Sequence, residues 1–260
     1  AWRCCSFNSR VVCSQYTVTR STRCTLSNPL LRAISVALDD QGEIVPIFPT
    51  SVMVNKFPRP FNSDELDCIM EYRSHVRQNT GNITTNDMYI FENEILKDIK
   101  YYCQKAIDDY FIKVYNPINP ESVNLQITQS WLNYTDKGQF HHKHYHHNSL
   151  VSGCIYINAK KENDVITFSK KNNPQNWQIQ AREQNELNSI DVHFFVETCD
   201  IVVFPSNLVH SVPPSDNDYT RISIAFNSFP SGEIGFVDGR LKGINFVKLD
   251  INNQKEYYGK

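Results

Sequence analysis

Between Thr220 and Phe229 the chain reads Thr-Arg-Ile-Ser-Ile-Ala-Phe-Asn-Ser-Phe. Side chains two apart share a face of an extended strand, so Ile222, Ile224 and Phe226 fall on one side and Arg221, Ser223, Ala225 and Asn227 on the other. A period of two this regular excludes a helix here and calls for a sheet whose apolar face is packed away. The opposite face carries a cation. If that face turns inward, Arg221 is a desolvated charge unless an anion meets it, and its planar fork suits a carboxylate. Ser223, on the same face, adds a hydrogen-bond donor. If the face turns outward, Arg221 is simply solvated, as most arginines are.

Five histidines stand within seven residues at His141, His142, His144, His146 and His147, and His210 lies eleven residues before Arg221. On a strand, a His-x-His pair projects two imidazoles to one side, and neutral imidazole is the commonest protein metal ligand. Two registers fit, His142 with His144 or His144 with His146. The alternative is a solvated, His-rich loop, since such tracts are compositional signals. A third ligand has to come from elsewhere, and His210 is the candidate. Ile201-Val-Val-Phe204 is a short apolar strand, Pro205-Ser-Asn207 reads as the turn that ends it, and Val209 to Val212 resumes an extended pattern. On its own His210 reads equally as a packed core residue.

Four motifs in order carry a resemblance. Trp131-Leu-Asn133-Tyr134-Thr-Asp-Lys-Gly138, His144-Tyr-His146-His-Asn-Ser-Leu-Val-Ser152-Gly153-Cys-Ile-Tyr156, Phe204-Pro205-Ser-Asn-Leu-Val-His210-Ser-Val212 and Arg221-Ile-Ser223-Ile-Ala-Phe-Asn227 together resemble the 2-oxoglutarate-dependent Fe(II) oxygenases of marine bacterial viruses and bacteria. The similarity spans about Val45 to Phe229. It implies a double-stranded β-helix, or jelly roll, with Fe(II) held by His144, His146 and His210. It also implies that Arg221 and Ser223 clamp the C5 carboxylate of 2-oxoglutarate, with Asn133 and Tyr134 as secondary contacts to that cosubstrate. The wider superfamily uses His-x-Asp or His-x-Glu, completing a two-histidine, one-carboxylate facial triad, whereas here a histidine takes the second position. Three neutral ligands leave the centre one unit more positive, which favours a dianionic cosubstrate and also admits zinc. Asp136 and Asp164 are the nearest carboxylates that could join by another route, though neither shares a strand face with His144 by simple alternation.

The remainder of the sequence fits one catalytic domain over residues 46–229. Asn62 followed by Glu65 forms a capping-box start for a helix over about 62–77, and Ile95, Ile99, Tyr102, Ala106, Ile107 and Tyr110 recur at helical spacing over about 92–111. These two helices are expected to buttress the sheet. Strands are expected at 123–134, 149–157, 165–168, 190–196, 201–204, 210–212 and 221–229, so the fold class is mainly β, a jelly roll with two N-terminal helices. The polar stretch 172–188 reads as an insertion, lid or ordinary loop. Residues 230–260 read as an irregular C-terminal tail packed on the domain.

Residues 1–45 carry five arginines and no acidic residue before Asp39, and they are expected to be a non-catalytic extension, possible disorder included, rather than a transit peptide. Twenty-six basic and 28 acidic side chains give a formal charge of −2, which offers no electrostatic case for nucleic acid or anionic membrane. No apolar run reaches the ~20 residues of a membrane span. The eight cysteines include no Cys-x-x-Cys pair and read as free thiols in a reducing, cytoplasmic setting, that of an infected host cell if the source is viral. The expected function is oxidation, by hydroxylation, of a small-molecule or peptidyl substrate with dioxygen. Two other functions fit the same residues: a cupin-like three-histidine metalloenzyme that does not use 2-oxoglutarate, and a non-enzymatic jelly-roll binding protein. Fold analogy does not choose among them.

Overall fold

The computed structural model describes residues 47–171, 180–185 and 187–235, with the backbone of three short strands, β1 (Val11–Cys13), β2 (Tyr16–Val18) and β14 (Leu241–Ile244). Residues Ala1–Pro49 and Thr50–Lys260 form two compact units. In the first, β1 and β2 pair antiparallel; the expectation for the rest of residues 1–45 lies outside the described residues.

The second unit is mainly β, with two helices. Eight strands run β6 (Val123–Thr135), β7 (His141–His144), β8 (Val151–Asn158), β9 (Val165–Ser169), β10 (Asp191–Phe195), β11 (Asp200–Pro205), β12 (Val209–Val212) and β13 (Arg221–Ile234). They divide between two antiparallel sheets. One contains β11-β8-β13-β6 and the other β10-β9-β12-β7, the jelly-roll arrangement in which the chain passes back and forth between layers. The larger sheet is extended by β3 (Met53–Lys56) beside β11, and by β5 (Ile83–Thr85) and β4 (Val76–Gln78) beyond β6.

Alternation decides which residues face which layer. Leu132 and Tyr134 of β6, Ile222, Ile224 and Phe226 of β13, Val151, Ile155 and Ile157 of β8, and Ile201 and Val203 of β11 form one core with the helices. Each large apolar side chain buried there contributes about 1.5–3 kcal/mol. The opposite faces of β8 and β11 contribute Tyr156, Val202 and Phe204 to a smaller core with Ile166 and Phe168 of the second sheet. Gly153 sits where β8 passes over Phe226. A Cβ there would stand 2.4 Å from the Phe226 ring, so the close approach requires glycine.

Helix α1 (Ser63–Tyr72) starts as its sequence dictates. Asn62 Oδ1 accepts from Glu65 N, and Glu65 Oε2 accepts from Asn62 N, the reciprocal capping box. The helix stops short of the expected Arg77, because Val76–Gln78 is taken up as β4 and pairs with β5. Helix α2 (Lys97–Tyr110) is shorter than the expected 92–111 at its start. Two 3₁₀ turns, Ile90–Glu92 and Glu94–Leu96, precede it, and Asn93 caps the second through Ile95 N. A single π turn, Phe111–Tyr115, follows it. The expected irregular tail is partly wrong, since β13 continues through Ile234 and pairs with β14. Of the stretch 172–188, residues 172–179 and 186 lie outside the described residues.

Candidate metal centre

Strand register builds the centre. His210 on β12 lies directly opposite His144 on β7, and cross-strand partners of this kind hold their side chains side by side. His146 stands just beyond β7, where its backbone N–H donates to Ser206 O at 2.9 Å. The three rings meet: centroids are 4.3 Å apart for His144 and His210, 5.0 Å for His146 and His210, and 5.3 Å for His144 and His146. Each offers a ring nitrogen, all within 4.8 Å of one another. The first histidine register, His142 with His144, is not the one that meets His210. His142 instead lies with Nδ1 3.3 Å from Thr80 O.

The hydrogen bonds around the rings fix which nitrogen is bare. His144 Nδ1 lies 2.8 Å from His142 O, and His210 Nδ1 lies 2.9 Å from Leu208 O; a carbonyl oxygen accepts only, so both Nδ1 atoms carry the proton. His146 Nδ1 lies 2.5 Å from Asn227 Oδ1 and 2.9 Å from Ser152 Oγ. Asn227 turns its amide N–H toward Gln129 Oε1 at 3.2 Å, which leaves its oxygen for the ring. All three Nε2 atoms are therefore lone-pair donors. His144 Nε2 and His146 Nε2 face each other at 3.3 Å with no proton assigned between them. Two lone pairs held so close repel unless a cation sits between them. At the ~2.0–2.1 Å typical of metal–imidazole bonds, ligand nitrogens come about 3 Å apart, so this spacing fits one ion.

Electrostatics agree. Burial, reinforced by the neighbouring imidazoles His144 and His146, pushes His210 down to about 2. Burial and His144 push His146 down to about 4, and burial lowers His144. The rings are thus held neutral, as a metal ligand must be. The carboxylates considered as extra ligands are engaged elsewhere. Asp136 accepts from Arg73 Nη2 and Thr220 Oγ1, and Asp164 from Asn217 Nδ2, Tyr219 Oη and Lys160 N. The donor set accordingly fits a transition ion of the Fe(II) or Zn(II) kind better than Mg²⁺ or Ca²⁺, which prefer oxygen.

Beside the rings, the inward face of the larger sheet forms a polar floor. Register aligns Asn133, Ser223 and Tyr156 across β6, β13 and β8, then Trp131, Ala225 and Cys154. Arg221, only 4 % exposed, donates from Nη1 to Val165 O at 3.1 Å and lays its guanidinium 5.1 Å from the centroid of the Tyr156 ring. No carboxylate pairs with it among the described residues. Asn133 Oδ1, which is buried, has no hydrogen-bond partner among the described residues, and Tyr156 is fully buried beside Arg221. Buried polar groups are nearly always paired, and Arg221 and Asn133 stand together on this floor with polar capacity to spare.

Tyr134 does not belong to it. Adjacent to Asn133 on β6, its side chain points to the opposite face, where its hydroxyl donates to Ile69 O of α1 at 2.6 Å; alternation along the strand makes Asn133 and Tyr134 unable to share a face. The residues the sequence reading missed are Asn227, Ser152, Ser206 and Tyr156. Ser206 Oγ lies 2.7 Å from both Ser152 Oγ and Ser149 Oγ, so a serine cluster backs the His146–Asn227 contact. The signal for Asn227 was available: it lies on the Arg221 face of the same strand.

This is a jelly roll that brings together three histidines, two half-buried and one buried, with a buried arginine on the adjoining sheet. Residues 129–227 match the family model described as "Putative 2OG-Fe(II) oxygenase". The matched stretch holds every histidine and floor residue described above. No curated protein matches the chain. Among solved structures, the chain is similar to an oxidoreductase of the 2OG-Fe(II) oxygenase family from Burkholderia pseudomallei, at 10% identity over 68% of this chain and 83% of that one with a TM-score of 0.46. It is also similar to a prolyl hydroxylase from Trichoplax adhaerens, at 12% identity over 68% and 83% with a TM-score of 0.45. A third is the epimerase SnoN, in complex with Fe³⁺, alpha ketoglutarate and nogalamycin RO, at 10% identity over 76% and 91% with a TM-score of 0.49.

Proposed function

We propose that the protein is a 2-oxoglutarate- and Fe(II)-dependent dioxygenase that hydroxylates a small-molecule or peptidyl substrate. His144, His146 and His210 hold the metal, and Arg221, Ser223 and Asn133 bind the cosubstrate. When bound, Fe(II) and 2-oxoglutarate supply the oxidising chemistry, in which dioxygen yields one oxygen to succinate, formed with carbon dioxide, and one to the substrate as hydroxyl. The chain's own part is placement. The three Nδ1 contacts aim their nitrogens inward, the guanidinium takes a carboxylate in a fork, and the two sheets keep bulk water from the polar floor. Three neutral ligands leave a dipositive centre, and a dianion offsets that charge. Residues 46–229 form the catalytic domain in this reading, with residues 1–45 outside it.

The observation that carries the proposal is the buried Arg221, without a carboxylate partner among the described residues, beside three imidazoles whose bare nitrogens converge. Anaerobic addition of Fe(II) and 2-oxoglutarate should produce the weak visible charge-transfer band of the chelate, and admission of air should yield succinate. A protein that binds Fe(II) but shows neither band nor succinate refutes the reading and returns the site to a cupin-like or purely structural role.

A further inference from the structure

The histidine run holds a second trio. His141, His142 and His144 each offer a ring nitrogen, and these lie within 4.8 Å of one another. The His141 ring stacks on His144 with centroids 4.5 Å apart and planes 17° from parallel, and the His142 ring lies 4.8 Å from His144. All three are half-buried, so solvent reaches them, and neither His141 nor His142 has a part in the inner triad. Three imidazoles suit a borderline transition ion such as Zn²⁺. Asn79 Nδ2 lies 3.1 Å from His141 Nε2; an ion taking that nitrogen displaces the amide, and one taking Nδ1 requires the amide to turn its oxygen to the ring.

We propose that His141, His142 and His144 form an outer site for a transition-metal ion, Zn²⁺ being the probe ion, and that filling it takes His144 from the inner triad. The exclusion follows from His144 itself: a neutral imidazole has one ring lone pair, so this residue serves one ion at a time. An ion seated outside leaves the inner centre with His146 and His210 alone. Fe(II) lies below Cu(II) and Zn(II) in its affinity for such nitrogen sites, so excess Zn²⁺ or Cu²⁺ draws His144 away from Fe(II) whichever of the two sites the ion takes. That regulatory consequence rests on the oxygenase reading above; the binding does not.

The test uses the full chain, freed of metal and titrated with Zn²⁺ by calorimetry. In His146→Gln/His210→Gln the inner triad retains only His144, and one Zn²⁺ should still bind. Adding His142→Ala should then weaken or remove that ion by at least about 10-fold, the smallest loss common for partners one shell further from a metal. With His146 and His210 intact, the same His142→Ala change should cost no Zn²⁺, because His144 is then used inside. Should the double replacement unfold the chain by circular dichroism, His210→Gln alone gives the same comparison. The proposal is overturned if the folded variant binds no Zn²⁺, or if it binds equally well without His142. It is also overturned if His142→Ala costs an ion in the chain with an intact inner triad, since both sites then fill together. Failure to convert 2-oxoglutarate sinks the oxygenase reading and leaves these titrations standing.

Discussion

Replacing Arg221 by Met separates a binding role from a packing role, because a binding role leaves stability almost unchanged while it lowers affinity. Arg221 is 4 % exposed, and its guanidinium donates to Val165 O. Leaving a charge in such a place costs several kcal/mol. Against that stand a charge-assisted hydrogen bond of about 1.5–3 kcal/mol and stacking over Tyr156 of up to about 2 kcal/mol. Methionine loses both but removes the buried charge, so the substitution should change stability without cosubstrate by no more than about 1 kcal/mol. Affinity for 2-oxoglutarate should behave otherwise. Truncating one partner of a buried charge pair costs about 2–5 kcal/mol, roughly a 30- to 5,000-fold weaker Kd. Urea denaturation of the metal-free protein gives the first quantity, and titration of the Fe(II) chelate band gives the second. An Arg221→Met protein that binds 2-oxoglutarate as before would refute the reasoning, as would one that unfolds outright with its affinity never in question.

Asn227→Ala removes the acceptor that orients His146 and should weaken metal binding about 10- to 100-fold, measured by competition with a chromogenic chelator, while the melting temperature stays within a few degrees. Tyr134→Phe deletes the bond to Ile69 O and should cost about 0.5–1.5 kcal/mol in a urea titration, with no change in the Kd for 2-oxoglutarate; a large change there would return Tyr134 to the site. Acid should destabilise the metal-free protein selectively. The unfolded chain takes up protons on its histidines below about 6.5, whereas folded His146 does so only at about 4 and His210 only at about 2, burial being the main cause. The unfolded state thus binds more protons, so stability is full above about pH 7 and falls as pH drops through 6.5 toward 4. Urea midpoints at pH 7.5 and 5 check this, and His210→Gln should flatten the difference.

Period-two alternation made β13 legible almost residue by residue. It put Ile222, Ile224 and Phe226 on one face and Arg221, Ser223 and Asn227 on the other; in the fold the first three pack in the core that the helices share, and the second three are buried on the opposite face. The capping box at Asn62 and Glu65 fixed the start of α1 because that signal is local and stereochemical. The end of α1 was not legible, since Val76 to Gln78 become a strand only by pairing with β5, a partner that helix periodicity does not see. The same limit accounts for Tyr134, whose place in the family's motif suggested a cosubstrate contact although its neighbour Asn133 already occupied the inward face of β6.

From sequence alone one could know that a late strand bears an arginine on its polar face, that histidines are concentrated upstream of it, and that the intervening chain is built of short strands. Period and residue chemistry suffice for such statements, because they concern neighbours along the chain. Which histidines meet, and in which tautomer, was decided only when β12 paired with β7 and the two sheets closed over one another. Ligand choice depends on contacts between segments more than sixty residues apart, such as those of His144 with His210 and His146 with Asn227. The desolvation that keeps those rings neutral exists only in the folded protein.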